Sequence, residues 1–299
     1  MSNDRRIKRK IEKKYKHPID NIYSHRFYSD LFSGYAYSLA EDKIGRNDFY
    51  IITPDDKEIV NLFKNISHYD FSYEFGQTID RVLYSLAAFG KAYIFVEPEY
   101  IDIIDEKGGN NRVINSIHIR EVKGILRRNI FYYNNYSEDI SKIDIGKGVL
   151  ITYDLRDLGY KRNYFTKLVK QLGKYDTTST SIDLISNEPT YDFNAHLDKN
   201  RKRFLRKVKE IEWSFGSDGI SDSYILYKEI KMRQFKQRFL QYVLEKTNYG
   251  LAEVNITGKE FRIEAMTGNT DYDDVWKRFQ DGIITVSELS NIVWNGIND

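Results

Sequence analysis

The stretch Gly90-Lys91-Ala92-Tyr93-Ile94-Phe95-Val96-Glu97 decides the fold, because the chain changes period there. Before it, Phe75, Ile79, Val82, Leu83 and Leu86 recur at three- and four-residue steps, the stripe of an amphipathic helix. Gly90 stops that helix. From Lys91 a short apolar run rich in aromatic and β-branched residues reads as a strand. Further strands are expected at Tyr100–Ile104, Val113–Val122, Gly124–Tyr133 and Val149–Tyr153, with turn chemistry at Gly108-Gly109-Asn110-Asn111. Residues 91–153 therefore predict a small, mostly antiparallel sheet packed on the helices before it.

Toward the N-terminus, Phe27, Leu31, Tyr35 and Leu39 predict a helix over Arg26–Asp42. The apolar run Phe49–Ile52 precedes Thr53-Pro54-Asp55, a helix start with proline in the first turn. That helix carries Ile59, Leu62, Phe63 and Ile66 on one face. Residues 1–20 form a basic arm with Arg5, Arg6, Lys8, Arg9, Lys10, Lys13, Lys14 and Lys16. Such an arm is either a frayed, solvated terminus or a surface that meets phosphates or a partner subunit.

Beyond Asp154 the pattern returns to helix. Phe165, Leu168, Val169 and Leu172 mark one face, and Asn187-Glu188-Pro189 breaks the run. A second helix is expected from Asp198 to Trp213, then a polar loop, Ser214–Ser221, then a long helix from Asp222 to Asn248. Met232, Phe235, Phe239, Tyr242 and Val243 form its stripe. A strand at Phe261–Glu264 and two short helices follow, the last opened by the capping box Thr285-Val286-Ser287-Glu288.

The 299 residues are enough for a sizeable core, and a net charge of +2 leaves room for separated patches of either sign. No apolar run reaches the length of a membrane span, and the N-terminus lacks the apolar core of a signal peptide, so no membrane partner is expected. Zero cysteines exclude disulfides, thiolate metal sites and cysteine nucleophiles. The five histidines contain no HxxxH pair, and no metal or cofactor is expected.

The densest charge is Lys199, Arg201, Lys202, Arg203, Arg206, Lys207 and Lys209, which wraps a helix. It is either a solvated face or a phosphate-contacting surface without base readout. Asp105 followed by Glu121-Val122-Lys123 loosely matches the acid…ExK pattern in which two carboxylates hold Mg²⁺ and a lysine orients the attacking water. Alternating charge on the wet face of a strand explains it equally well. Gly146-Lys147-Gly148 is too short for a P-loop. Asp271, Asp273 and Asp274 lack a calcium loop's glycine and distal glutamate, and suit a helix N-terminus instead. Trp213, Trp276 and Trp294 read as core or interface anchors.

Three stretches together resemble the portal (head–tail connector) proteins of tailed bacteriophages: Leu168–Ser179, Gly219–Lys228 with the long helix behind it, and 269–294. Gly90–Val96 after an amphipathic helix is portal-like as well. The similarity covers about two thirds of the chain as an order of elements. It implies an α+β, mainly helical fold with a small, mostly antiparallel sheet in a wing and a two-helix stem. Residues 1–20 are then the arm, 21–158 the wing, 159–213 the stem, 214–221 the tunnel loop, and 222–299 the long wing helix, strand and C-terminal helices. Only Asn187–His196 separates the stem helices, where the family usually carries a clip domain, and the chain ends soon after Trp294, without a large helical crown.

The resemblance further implies a non-catalytic ring, usually a dodecamer, at a capsid vertex of the virion, assembled in the host cytoplasm. Its implied partners are double-stranded DNA, the terminase packaging motor, the major capsid protein and head–tail adaptors, and its roles are DNA packaging, ejection and tail attachment. Lys199, Arg201, Lys202, Arg203, Arg206 and Lys207 are the candidate channel contacts, and Gly216, Ser217, Asp218 and Gly219 the tunnel loop. The alternatives are a Mg²⁺-dependent, sequence-independent nuclease and a monomeric nucleic-acid-binding accessory protein.

Overall fold

A computed structural model describes residues 2–16, 22–34, 49–64, 71–104, 110–125, 130–134, 140–171, 206, 211, 222–254, 260–266 and 270–295. Helix α1 (Ser2–Lys14) is followed by α2 (Ile22–Phe32), strand β1 (Tyr50–Thr53), α3 (Lys57–Lys64) and α4 (Phe71–Phe89). Strands β2 (Lys91–Ile104), β3 (Asn110–Glu121), β4 (Lys123–Ile125), β5 (Ile130–Asn134), β6 (Ile140–Lys142) and β7 (Val149–Asp154) come next. Residues 164–171 form α5. The long α6 (Asp222–Glu253), β8 (Arg262–Ala265), α7 (Tyr272–Gln280) and α8 (Val286–Asn295) complete the described chain. The fold is α+β, with helices packed on small antiparallel sheets.

The strands make three sheets, ordered β3-β2-β7, β4-β5-β6 and β1-β8, and every described pairing is antiparallel. One face of β2 carries Ile94 and Val96 into the main core with Ile117 of β3 and Ile151 and Tyr153 of β7. Phe27, Leu31 and Phe32 of α2, the apolar stripe of α4, Phe165 and Val169 of α5, and Phe235, Phe239 and Val243 of α6 close over it. The opposite face of β2 puts Tyr93 and Phe95 against Val122, Phe131 and Ile143. The N-terminal half of α6 serves a second core, where Leu226 and Ile230 meet Val275, Leu289 and Val293 of the last two helices. Among the described residues no helix is long and apolar enough to cross a membrane.

Several local expectations are corrected. Helix α2 starts before Arg26 and ends at Phe32, because Gly34 takes a left-handed φ of +59° and turns the chain; Tyr35 and Leu39 lie outside the described residues. Thr53-Pro54 does not open α3. Asp56 does, its Oδ1 accepting from Glu58 N at 2.9 Å. The two strands expected at 91–97 and 100–104 are one, running through Pro98, and Asn110 and Asn111 belong to β3. The single strand expected at Gly124–Tyr133 is the β4–β5 hairpin. The capping box holds: Glu288 N donates to Thr285 Oγ1 at 3.2 Å, and Thr285 N to Glu288 Oε2 at 2.6 Å. Asp271 caps α7 through Asp273 N and Asp274 N, as a helix N-terminus requires.

Candidate functional site

Beyond Val96, β2 no longer has β7 beside it and, among the described residues, pairs only with β3. The two strands continue to Ile104 and Asn110, an arm of roughly 25 Å at the rise of a β-strand. A bulge at Glu99/Tyr100 sets its register. Helix α3 packs against β3, and Ile117 is buried in the main core, so the root of the arm is supported. Its far half, residues 99–104 of β2, is exposed. Ile101 and Val113 face each other across the strands, 41% and 38% exposed, with Ile103 beside them. On the reverse face Tyr100 is half exposed under the Arg112 guanidinium, and Ile104 is 73% exposed. A two-stranded ribbon is marginal in water by itself, and large apolar side chains on both faces add to the cost.

A second surface lies at the other end of the same sheet. Strand β7 is its edge, and a cleft of about 400 Å³ runs between Val149–Thr152 and the α6 residues Glu245, Lys246, Tyr249, Gly250 and Glu253. Tyr249 stands 70% exposed on its rim. Among the described residues β7 is thus an edge strand beside a partly apolar cleft, the kind of place where a strand can be added.

The end of β7 is a polar junction. The Asp154 carboxylate, only 10% exposed, receives Lys91 Nζ at 3.3 Å, Arg156 Nη2 at 2.9 Å and Arg162 Nη2 at 2.5 Å. It also accepts from Arg156 N, capping the short 3-10 turn Leu155–Leu158. Burial alone would raise its pKa, but the hydrogen bonds from Arg162, Arg156 and Lys91 prevail and hold it far below the usual carboxylate range. The Tyr242 hydroxyl of α6 accepts from Asp154 N at 3.0 Å and lies 2.7 Å from Asp157 Oδ2, which also pairs with Lys246. These contacts fix how the chain leaves the sheet for α5, where the sequence places the first stem helix.

Of the expected channel contacts, Arg206 is helical and exposed, and Ile211, five residues on, is buried in the main core. Lys199, Arg201, Lys202, Arg203, Lys207 and Lys209 lie outside the described residues, as do Gly216, Ser217, Asp218 and Gly219 and most of both stem helices. Trp276 packs against Tyr227 with the rings tilted by 47° and their centroids 4.7 Å apart, and it is half-buried, whereas Trp294 is half exposed.

The acid…ExK pattern is only partly assembled. Asp105 lies outside the described residues. Glu121 faces α4, accepting from Ser85 Oγ at 2.7 Å, and burial raises its pKa despite the opposing pull of Lys123 and Arg81. Burial that disfavours the carboxylate anion makes Glu121 a poor Mg²⁺ ligand. Among the described residues no three histidine or carboxylate side chains gather as a metal site. Because the folded-state pKa is raised, this group's contribution is present at low pH and is lost as pH rises through that value. Glu121→Gln keeps the Ser85 contact and should raise Tm by about 2 °C at pH 8, with no gain at pH 4, in parallel thermal melts.

No protein-family model matches the chain, and no curated protein sequence does. Among solved structures it is similar to chains described as "Neck of native GTA particle computed with C12 symmetry" and "Neck of empty GTA particle computed with C6 symmetry". The first has a TM-score of 0.38 and 10% identity over 92% of this chain and 90% of that one. The second has 0.37 and 10% over 97% and 93%. The resemblance to these chains from the neck of a GTA particle is thus weak, and it spans nearly the whole length of both.

Proposed function

We propose that this chain is the subunit of a ring-shaped portal at a capsid vertex, a non-catalytic channel for DNA packaging and ejection and for tail attachment. The observation that carries the reading is the pair of unlike surfaces on one sheet. The apolar arm of β2 and β3 needs a cover, and the edge of β7 offers a place for a strand. Two different patches that fit each other across copies give a head-to-tail contact, the kind that closes into a ring. The portal-like order of elements supports the same reading, with 21–158 and 222–299 as wing, 159–213 as stem and 214–221 as tunnel loop. Lys199, Arg201, Lys202, Arg203, Arg206 and Lys207 are proposed to meet the duplex as it slides, through weak, numerous, sequence-blind phosphate contacts. Terminase, major capsid protein and adaptors are the proposed docking partners of the assembled particle.

Light scattering and negative-stain imaging of the purified chain test this. Annular particles of twelve 35.4 kDa subunits, about 425 kDa, are expected. Ile101→Asp with Ile103→Asp should reduce them to folded monomers with an unchanged circular dichroism spectrum. A wild-type protein that stays monomeric at every concentration and ionic strength overturns the ring.

A further inference from the structure

The basic arm at the N-terminus is a docked helix rather than a loose tail. Ile11 is 4% exposed and packs with Tyr132, and Tyr15, Ile125 and Ile130 close around the pair. The Tyr15 hydroxyl donates to Gly124 O at 3.2 Å and accepts from Gly124 N at 3.3 Å, while Lys14 Nζ donates to the same carbonyl at 3.0 Å. The Tyr15 ring also meets Phe89 edge-on at 5.0 Å. Arg6, Arg9, Lys10 and Lys13 are exposed, and their spacing of three, four and seven residues puts them in one row, on the side of the helix away from Ile11 and Tyr15.

The charge is separated as sharply as the geometry. Residues 2–16 hold eight Lys or Arg and two acids, a net +6, whereas the whole chain is +2, so everything outside residues 2–16 sums to −4. From the exposed face of α1 we infer that the helix is a nucleic-acid contact, reading the phosphate backbone of a duplex without regard to sequence. A membrane surface is the poorer partner: an amphipathic helix binds lipid through a free apolar face, and Ile11 and Tyr15 have spent theirs on β4 and β5. Arg6 to Lys13 spans about 10 Å at the helical rise, a length over which a duplex presents several phosphates. Between Asp4 and Lys16 there is no Asn or Gln to pair with an adenine edge. The inference rests on DNA as a partner in the proposed function, but not on the ring.

The test uses the full chain and a fluorescent 30-base-pair duplex of arbitrary sequence, with affinity measured from 50 to 200 mM salt. Neutralising Arg6, Arg9, Lys10 and Lys13 together to Gln leaves Ile11, Lys14 and Tyr15 in place. If each cation releases about one counterion, the slope of log affinity against log salt should fall by about 3.6. Wild-type affinity should then drop about 100-fold more than the variant's across that range. A second, unrelated duplex should give the same slopes. An unchanged slope in the quadruple variant overturns the inference, as does binding restricted to one sequence. If the slope is unchanged and the variant's particle mass falls, α1 meets an acidic neighbour subunit instead. Wild-type particle mass, measured on the same samples, separates loss of DNA binding from failure of the ring.

Discussion

Asp154→Asn should destabilise the protein by about 3 kcal/mol at pH 7, seen as a loss of roughly 6–12 °C in Tm. The carboxylate pairs with Lys91, Arg156 and Arg162 at once, and asparagine leaves three cations converging on a neutral group. Two of them, Arg156 and Arg162, reach solvent, which keeps the cost at the low end for a broken buried pair. Because the folded-state pKa is depressed, the stabilisation is complete above the unfolded value of about 3.9 and fades as pH falls below it. The gap between wild type and variant should therefore shrink from pH 5 to pH 2. A gap that stays constant across that range would mean that packing, not charge, holds the junction.

Gly90→Ala should cost more, about 4 kcal/mol, by two effects that add. Gly90 takes a φ of +73°, and a Cβ built there would sit 2.3 Å from the backbone oxygen of Arg162 and 2.7 Å from its Cα. Neither atom can swing aside as a side-chain tip would. Gly90 also donates to Leu86 O and accepts from Leu155 N, so moving it disturbs both the end of α4 and the turn after β7. Chemical denaturation at pH 7 measures the loss. A variant within 1 kcal/mol of wild type would show that α5 shifts freely relative to the sheet.

The sequence makes Gly90 conspicuous for a simple reason: helix period ends and strand period begins on either side of it, and both periods are local. The pairing of β1 with β8, some two hundred residues apart, leaves no such trace, because each strand alone is four ordinary residues. The β4–β5 hairpin is hidden for another reason. The sequence between its strands, Leu126-Arg127-Arg128-Asn129, holds no Gly or Pro, so nothing in it marks a break. Capping sites were visible where side chain and backbone interact within a few residues, as at Thr285 and Asp271, and misplaced where Pro54 drew the eye from Asp56. Asp154 carried no signal, since its cations come from two residues on, eight residues on and a strand sixty residues back. In the arm, Ile11 and Tyr15 lie one helical turn apart on the docked face, a two-residue signal set among eight cations. The basic run at 199–209 reads clearly as charge, yet charge alone does not fix which way it points.

The junction at Asp154 also has a mechanical meaning. Lys91 begins β2, Asp154 ends β7, Arg162 leads into α5, and Tyr242 and Lys246 reach across from α6. A pull or twist delivered along α5 cannot be absorbed by bending one turn, since that turn is bolted to two strands and a helix at once. The load passes instead to the sheet and to α6, and through α6 to the C-terminal core at its far end. Whatever tugs on the segment after residue 171 is felt by the sheet and by both cores that α6 joins.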